Sequence, residues 1–350
     1  MSRSRQFRLA ARPEGEIKDS DFELVTAPIP EPAENEFVIE TTHISIDPAM
    51  RGWMSAARSY IPPVEIGEVM RALAVGRVIA SHHPEFAPGD WVHGPFGVQE
   101  HAVSNGQDAY KIMVTGPLTP ATYLGVLGLT GLTAYFGLLD VGRLSNGDTV
   151  LVSGAAGGVG TAAGQIAKIK GATAVGIAGG PEKCRMLIEE LGFDGAVDYK
   201  RADLRVQLHK QTPDRVDVFF DNVGGEVLDE GLTRLRRGAR VVICGAVSQY
   251  NASGPVAGPA NYMALLVSRA SMTGFVVFDF ASRYQQAIAE LSGWVSQGRL
   301  RSVEDTAPGD IEMFPSMLAR LFTGQNTGKL ASNSGRDQAT QQTGQQAHGC

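Results

Sequence analysis

The chain has 350 residues, enough for two domains of ordinary size, and its 43% hydrophobic and 19% charged residues exclude a disordered or collagen-like polymer. The formal net charge of −6 argues against a broad basic face for nucleic acid or acidic lipid. Its three cysteines, Cys184, Cys244 and Cys350, cannot build a disulfide framework or a four-cysteine zinc site, and they fit a reducing compartment.

Arg3, Arg5, Arg8 and Arg12 crowd the start of the chain, as in a transit segment. Residues 6–11 nevertheless alternate like a first strand. No apolar run approaches the ~20 residues that span a bilayer, so a cytoplasmic protein with no membrane partner is expected. Residues 1–124 read as β-rich, with strands over 37–46 and 91–94, another within 68–81 and a turn at Pro88-Gly89-Asp90.

The pattern changes after 125. Residues 125–139 are apolar at helical spacing. Strands are predicted over 149–153, 173–178, 196–199, 216–221, 240–244 and 272–277, and helices over 158–170, 182–191, 204–210, 227–236 and 283–297. That alternation predicts a parallel sheet covered by helices on both faces. Residues 300–330 return to irregular patterning and could rejoin the first domain. The segment 331–350, rich in Gln, Gly, Ser and Thr, reads as a tail that cannot bury enough surface to order itself.

The 42 glycines exceed the ~7% norm, and they gather most tellingly in TVLVSGAAGGVGTAAGQIAKIK, residues 149–170. A β-branched strand, a small-residue turn and a helix follow in order, the context of a dinucleotide fingerprint. The best register is Ala155-x-Gly157-x-x-Gly160, with alanine at the first glycine position. Bare backbone at a helix N-terminus lets N–H groups approach a pyrophosphate. An NAD site places an acid at the tip of the next strand for the ribose 2′-hydroxyl. Here the tip reads Ile177-Ala178-Gly179-Gly180-Pro181, with Glu182 and Lys183 following, which favours a 2′-phosphate and hence NADP. Lys183 as an ordinary solvated helix residue is the competing reading.

The seven histidines, at 43, 82, 83, 93, 101, 209 and 348, form no C-x-x-C or H-E-x-x-H arrangement, and no metal is expected. Without a Lewis acid to polarise an alcohol, a substrate that accepts hydride unaided, such as an alkene conjugated to a carbonyl, is the better expectation.

AAGGVG, GIAGGPEK, DNVGG, ICGAVSQYN, GFVV and GQNTGK occur in that order, after QFRLAARPEG, IDPAMRGWM and SYIPPVEIGEVMRA. Over about residues 5–330 the chain resembles the zinc-independent branch of the medium-chain dehydrogenase/reductase superfamily, which holds leukotriene hydroxydehydrogenase/prostaglandin reductase, alkenal double-bond reductases and curcumin reductase. The resemblance implies an α/β fold, a Rossmann doubly wound parallel sheet over 125–299 plus a β-rich GroES-like barrel domain from 1–124 and 300–330. It also implies roles. Gly157, Gly158, Val159 and Gly160 would cradle the pyrophosphate, and Lys183 and Tyr199 the 2′-phosphate. Gly180 stands where the family often has Ser or Thr. Asn222 would lie under the cofactor, and Cys244, Gly245, Ala246, Val247, Ser248, Gln249 and Tyr250 would run to the nicotinamide ribose. Phe275, Val276 and Val277 would offer backbone groups to the carboxamide, and Asn326 would reach the cofactor from the returning segment. Gly67-Glu68 lacks the histidine of the zinc-dependent G-H-E motif. Each of these has a plain alternative, such as a packing tyrosine at 199 or a turn at 222–225.

The expected reaction is NADPH-dependent reduction of the C=C bond of an enal or enone. Tyr250 is the first candidate to stabilise charge on the carbonyl oxygen, and Tyr60 a wall of the substrate pocket. A quinone oxidoreductase and a non-catalytic NADPH-binding protein are the alternatives. A homodimer through the strand over 272–277 is the expected assembly.

Overall fold

The computed structural model describes residues 3–201 and 203–334, and its contacts divide the chain into two units. One unit takes the chain to Leu124 and again Asp305–Gln325 and the segment from Leu330; the other takes Gly125–Glu304 and Asn326–Lys329.

In the first unit β1 (Arg3–Leu9) and β2 (Phe22–Pro28) form an antiparallel pair. β3 (Phe37–Ser45) follows, then α1 (Ala49–Trp53), β4 (Ala74–Ser81), β5 (Trp91–Gly94), β6 (His101–Ser104), the short β7 (Tyr110–Lys111) and α2 (Pro120–Leu124). β3 is the hub, paired antiparallel with both β4 and β6. Gly76 in β4 is where the two approach most closely, because a Cβ there would stand 2.3 Å from the Glu40 carbonyl oxygen. The strand expected within 68–81 is β4.

The second unit opens with α3 (Leu129–Phe136), which runs into a π turn at Gly137–Val141. Then come β8 (Thr149–Val152), α4 (Gly158–Ile169), β9 (Thr173–Ala178), α5 (Pro181–Glu189), β10 (Gly195–Asp198), α6 (Leu204–Gln211), β11 (Val216–Asp221), α7 (Gly225–Leu232), β12 (Leu235–Ile243), α8 (Met263–Ser268), β13 (Ser271–Gly274) and α9 (Tyr284–Ser296). The six strands are parallel in the order β10-β9-β8-β11-β12-β13. This is the doubly wound order, whose direction reverses beside β8. Leu151, Val175, Val197, Phe219 and Val241 lie within one buried cluster, which accounts for the near-continuous apolar strands.

Two boundaries differ from the sequence pattern. The helix expected to 236 stops at Leu232, and β12 already starts at Leu235. The buried Arg234 guanidinium there donates to Thr212 Oγ1 at 2.9 Å, holding the connection on α6's end rather than in a helix. The strand expected to 277 stops at Gly274. Phe275 turns inward over Gly137, where a Cβ would meet its ring at 2.7 Å, and packs edge-on to Phe220.

The chain then adds β14 (Glu304–Pro308), α10 (Phe314–Phe322) and β15 (Lys329–Asn333). β15 lies between β14 and β3 in a seven-stranded sheet, antiparallel to β3. It therefore carries three residues of the expected tail, because Ala331, Ser332 and Asn333 pair with Ser45, Ile44 and His43. Residues 335–350 of that tail lie outside the described residues. Phe314 packs on Phe7 and Phe22 at ring distances of 5.5 and 5.2 Å, anchoring α10 in the first unit's core.

Candidate functional site

At the end of β8, Gly154 turns the chain with φ of +57, and Ala155 N–H donates to Ile177 of β9 at 2.9 Å. Gly157 is the extended N-cap of α4, and among the described residues no side chain caps it. The first amide of this helix to find its partner is Thr161, bonded to Gly157 O at 2.9 Å. The N–H groups of Gly158, Val159 and Gly160 thus form the positive end of the helix without a side chain over them. A Cβ at 160 would stand 2.3 Å from Gly154 O and 2.6 Å from Ala155 Cα. At 158 it would meet Thr130 Cγ2 at 2.9 Å. These clashes are with fixed groups, so the turn demands glycine, and the resulting bare amide surface fits a pyrophosphate. The segment Asn326–Lys329 closes alongside: Gly328 N–H donates to Ala156 O at 2.7 Å, and Gly328 bridges Gly157 in parallel.

Several predicted residues gather at the tip of β9. Gly179 is overlaid by Tyr199, since a Cβ there would stand 2.9 Å from the phenol oxygen. Gly180, with φ of +98, has open space where a Cβ would be. Lys183, in the first turn of α5, donates to Asn326 O at 2.5 Å, so two predicted residues distant in sequence meet. The tip of β9 carries no acid of its own, and the buried Asp198 at the end of β10 accepts the Gly180 N–H at 2.7 Å.

Asn222 sits where β8 and β11 end together. Its amide donates to Ser153 O at 2.7 Å and its backbone N–H to Ser153 Oγ at 2.8 Å. Ser153 Oγ donates in turn to the fully buried Asp221 at 2.6 Å. Asp221 also accepts the Gly224 N–H at 3.0 Å, and burial raises its pKa. The stretch after β12 is tied to this loop, with Val247 N–H on Asn222 O at 3.1 Å and Ser248 Oγ on Val223 O at 2.6 Å. Tyr250 folds back so that its hydroxyl accepts the Ala246 N–H at 3.2 Å and crowds Gly245. Cys244, expected inside a buried strand, follows the end of β12 and is half-buried; desolvation pushes its thiol up to about 12, so it stays protonated.

Phe275 and Val276 leave the ladder after β13, and Val277 opens a 3-10 turn, so their backbone groups stand off the sheet edge. Tyr60 belongs to the first unit, 55% exposed, its hydroxyl accepting the Trp53 indole N–H at 3.3 Å. Among the described residues no group of three or more His, Cys, Asp or Glu could hold a metal ion. A cavity of about 390 Å³ in the first unit, lined by Arg5, Thr41, Glu100 and Asp310 among others, contains no predicted site residue.

Ser153, Asp198 and Lys200 were not singled out from the sequence. A serine ending a strand and an acid preceding Tyr199 carry no local signal, because their partners lie on neighbouring strands. Asn251 beside Tyr250 is another: among the described residues its Oδ1 is a buried acceptor with no donor.

Two family models match the chain: an N-terminal domain of oxidoreductase over residues 5–112 and a zinc-binding dehydrogenase domain over 158–293. A putative NADP-dependent oxidoreductase, YfmJ, of Bacillus subtilis is 42% identical over 93% of this chain and 96% of its own. The NADPH-dependent curcumin reductase of Escherichia coli is 40% identical over 94% and 96%. Among solved structures, CurA from Vibrio vulnificus in complex with NADPH superposes with a TM-score of 0.89 at 41% identity, covering 94% of this chain and 98% of that one.

Proposed function

We infer the function from one premise: this chain belongs to the medium-chain dehydrogenase/reductase family, in the branch of the curcumin, prostaglandin and 2-alkenal reductases. It is an NADP-dependent oxidoreductase, and its proposed reaction is reduction of the C=C bond of α,β-unsaturated aldehydes or ketones. The observation that carries this reading is the bare amide surface at 158–160, set beside the tip of β9, whose own residues include no acid and where Lys183 and Tyr199 gather. When bound, NADPH supplies the hydride for the β-carbon of the substrate.

The chain's own groups bind and orient. The amides of Gly158, Val159 and Gly160 hold the pyrophosphate over the side-chain-free Gly157, whose own N–H is given to Gly154 O at 3.0 Å, and Lys183 and Tyr199 hold the 2′-phosphate. Asn222, fixed by Ser153, supports the nicotinamide side, along with the backbone from Cys244 to Tyr250. Phe275, Val276 and Val277 offer backbone groups to the carboxamide, and Asn326 closes the site. The Tyr250 hydroxyl, placed by the Ala246 N–H, donates to the carbonyl oxygen as negative charge grows there. Tyr60 forms a wall for the substrate. β13, the exposed edge of the six-stranded sheet, supports a homodimer.

The test is NADPH turnover with enals, enones and quinones of graded size, for the native chain and Tyr250→Phe. Enone reduction is expected, with kcat lowered about 10²-fold in the variant and NADPH affinity changed little. Turnover of quinones alone would make the chain a quinone reductase. NADPH binding without turnover of any activated alkene would leave a non-catalytic binder.

A further inference from the structure

The two lysines at the tip of β9 are in different circumstances. Lys183 already gives its ammonium to Asn326 O. Lys200 is exposed, and among the described residues its ammonium makes no ion pair or hydrogen bond. The place of Lys200 is nonetheless built. Asp198, 7% exposed, accepts the Gly180 N–H at 2.7 Å and the Lys200 N–H at 3.0 Å on the same Oδ1. One carboxylate oxygen thus ties the turn after β9 to the turn after β10. Gln207 clasps the same residue's backbone from α6, accepting at 3.3 Å and donating at 3.2 Å. The consequence appears at Gly179, where a Cβ would lie 2.9 Å from the Tyr199 hydroxyl and 3.0 Å from Lys200 Cε. The Tyr199 phenol and the Lys200 side chain therefore stand over the bare Gly179, and Gly180 leaves open space beside them.

We propose that Lys200, held over Gly179 by the Asp198 bridge, is a specificity-determining residue that selects a nucleotide bearing a 2′-phosphate over one bearing a 2′-hydroxyl. This rests on the NADP reading above. An ammonium without an internal partner loses no existing bond when it meets a phosphate, whereas Lys183 must share its protons with Asn326. Asp198 is buried, and its Oδ1 is given to two amides rather than to a ribose hydroxyl.

The test is calorimetric titration of the full-length chain with 2′,5′-ADP and with 5′-AMP, for the native protein, Lys200→Gln and Lys200→Arg. The native protein should prefer 2′,5′-ADP. Lys200→Gln should weaken 2′,5′-ADP about tenfold or more and leave 5′-AMP within about twofold, and Lys200→Arg should restore most of the loss. An unchanged 2′,5′-ADP affinity in Lys200→Gln, or an equal loss for both nucleotides, overturns the proposal while the NADP reading stands. A native protein without preference for 2′,5′-ADP overturns that reading and the proposal together.

Discussion

Ser153 joins the ends of β8 and β11 through one hydroxyl, which donates to buried Asp221 and accepts the Asn222 N–H. Ser153→Ala removes a donor from a buried carboxylate, and we expect a loss of about 1–3 kcal/mol in urea unfolding with a weaker hold on Asn222. Retention of full stability would show that the hydroxyl is incidental. Two buried histidines of the first unit give a pH dependence of known sign. Burial drives His43 and His93 each down to about 4, and His93 has both ring nitrogens without a partner among the described residues. A histidine that resists protonation only when folded contributes stability in full above its unfolded pKa, and that contribution is lost as pH falls toward 4. Between about pH 7 and about pH 5 the native chain should lose stability, and His93→Phe, which keeps the ring against Tyr110, should lose less. Equal losses in both proteins would remove His93 from the account. At this scale the glycines of the turn were legible because their spacing alone carries the demand for bare backbone. Asp198, Lys200 and Ser153 were not, since each gets its role from a partner on another strand or turn.

α4 shows how one element serves both fold and site. Its glycines at 160 and 164, one turn apart, face different neighbours: a Cβ at 160 strikes the backbone of Gly154 and Ala155, and one at 164 strikes the buried Phe193 ring at 1.8 Å. Both alanine variants should destabilise the second unit by about 1–3 kcal/mol, through overpacking. Only Gly160→Ala should also abolish 2′,5′-ADP binding at concentrations that saturate Gly164→Ala. Thermal melts with and without the nucleotide separate the two, and equal loss of binding would deny the turn its special role. The helices and strands of this unit were legible from alternation between the two periodicities. Their ends were less so: β13 stops early because Phe275 is drawn over Gly137, a side-chain contact that the strand-like run after it conceals.

For the molecule as a whole, the chain builds the first unit to Leu124 and the second to Glu304, re-enters the first at Asp305, gives Asn326–Lys329 to the second, and then lays β15 beside β3. That return was legible only as a loss of pattern after 300, because β15 is short and polar and its order comes from a ladder with residues nearly the whole chain away. The proposed homodimer rests on β13, whose four residues are all exposed at the sheet edge. If copies join there, Met272→Lys should shift the chain to a monomer in sedimentation at concentrations where the native protein is a dimer. An unaltered dimer would place the interface elsewhere. The central claim, that bare amides at the start of α4 grip the pyrophosphate of NADP, is tested most directly by a crystal structure of the chain grown with NADP. The account predicts pyrophosphate oxygens within hydrogen-bonding distance of the Gly158, Val159 and Gly160 N–H groups. Nucleotide density elsewhere, with that turn vacant at saturating NADP, would contradict it.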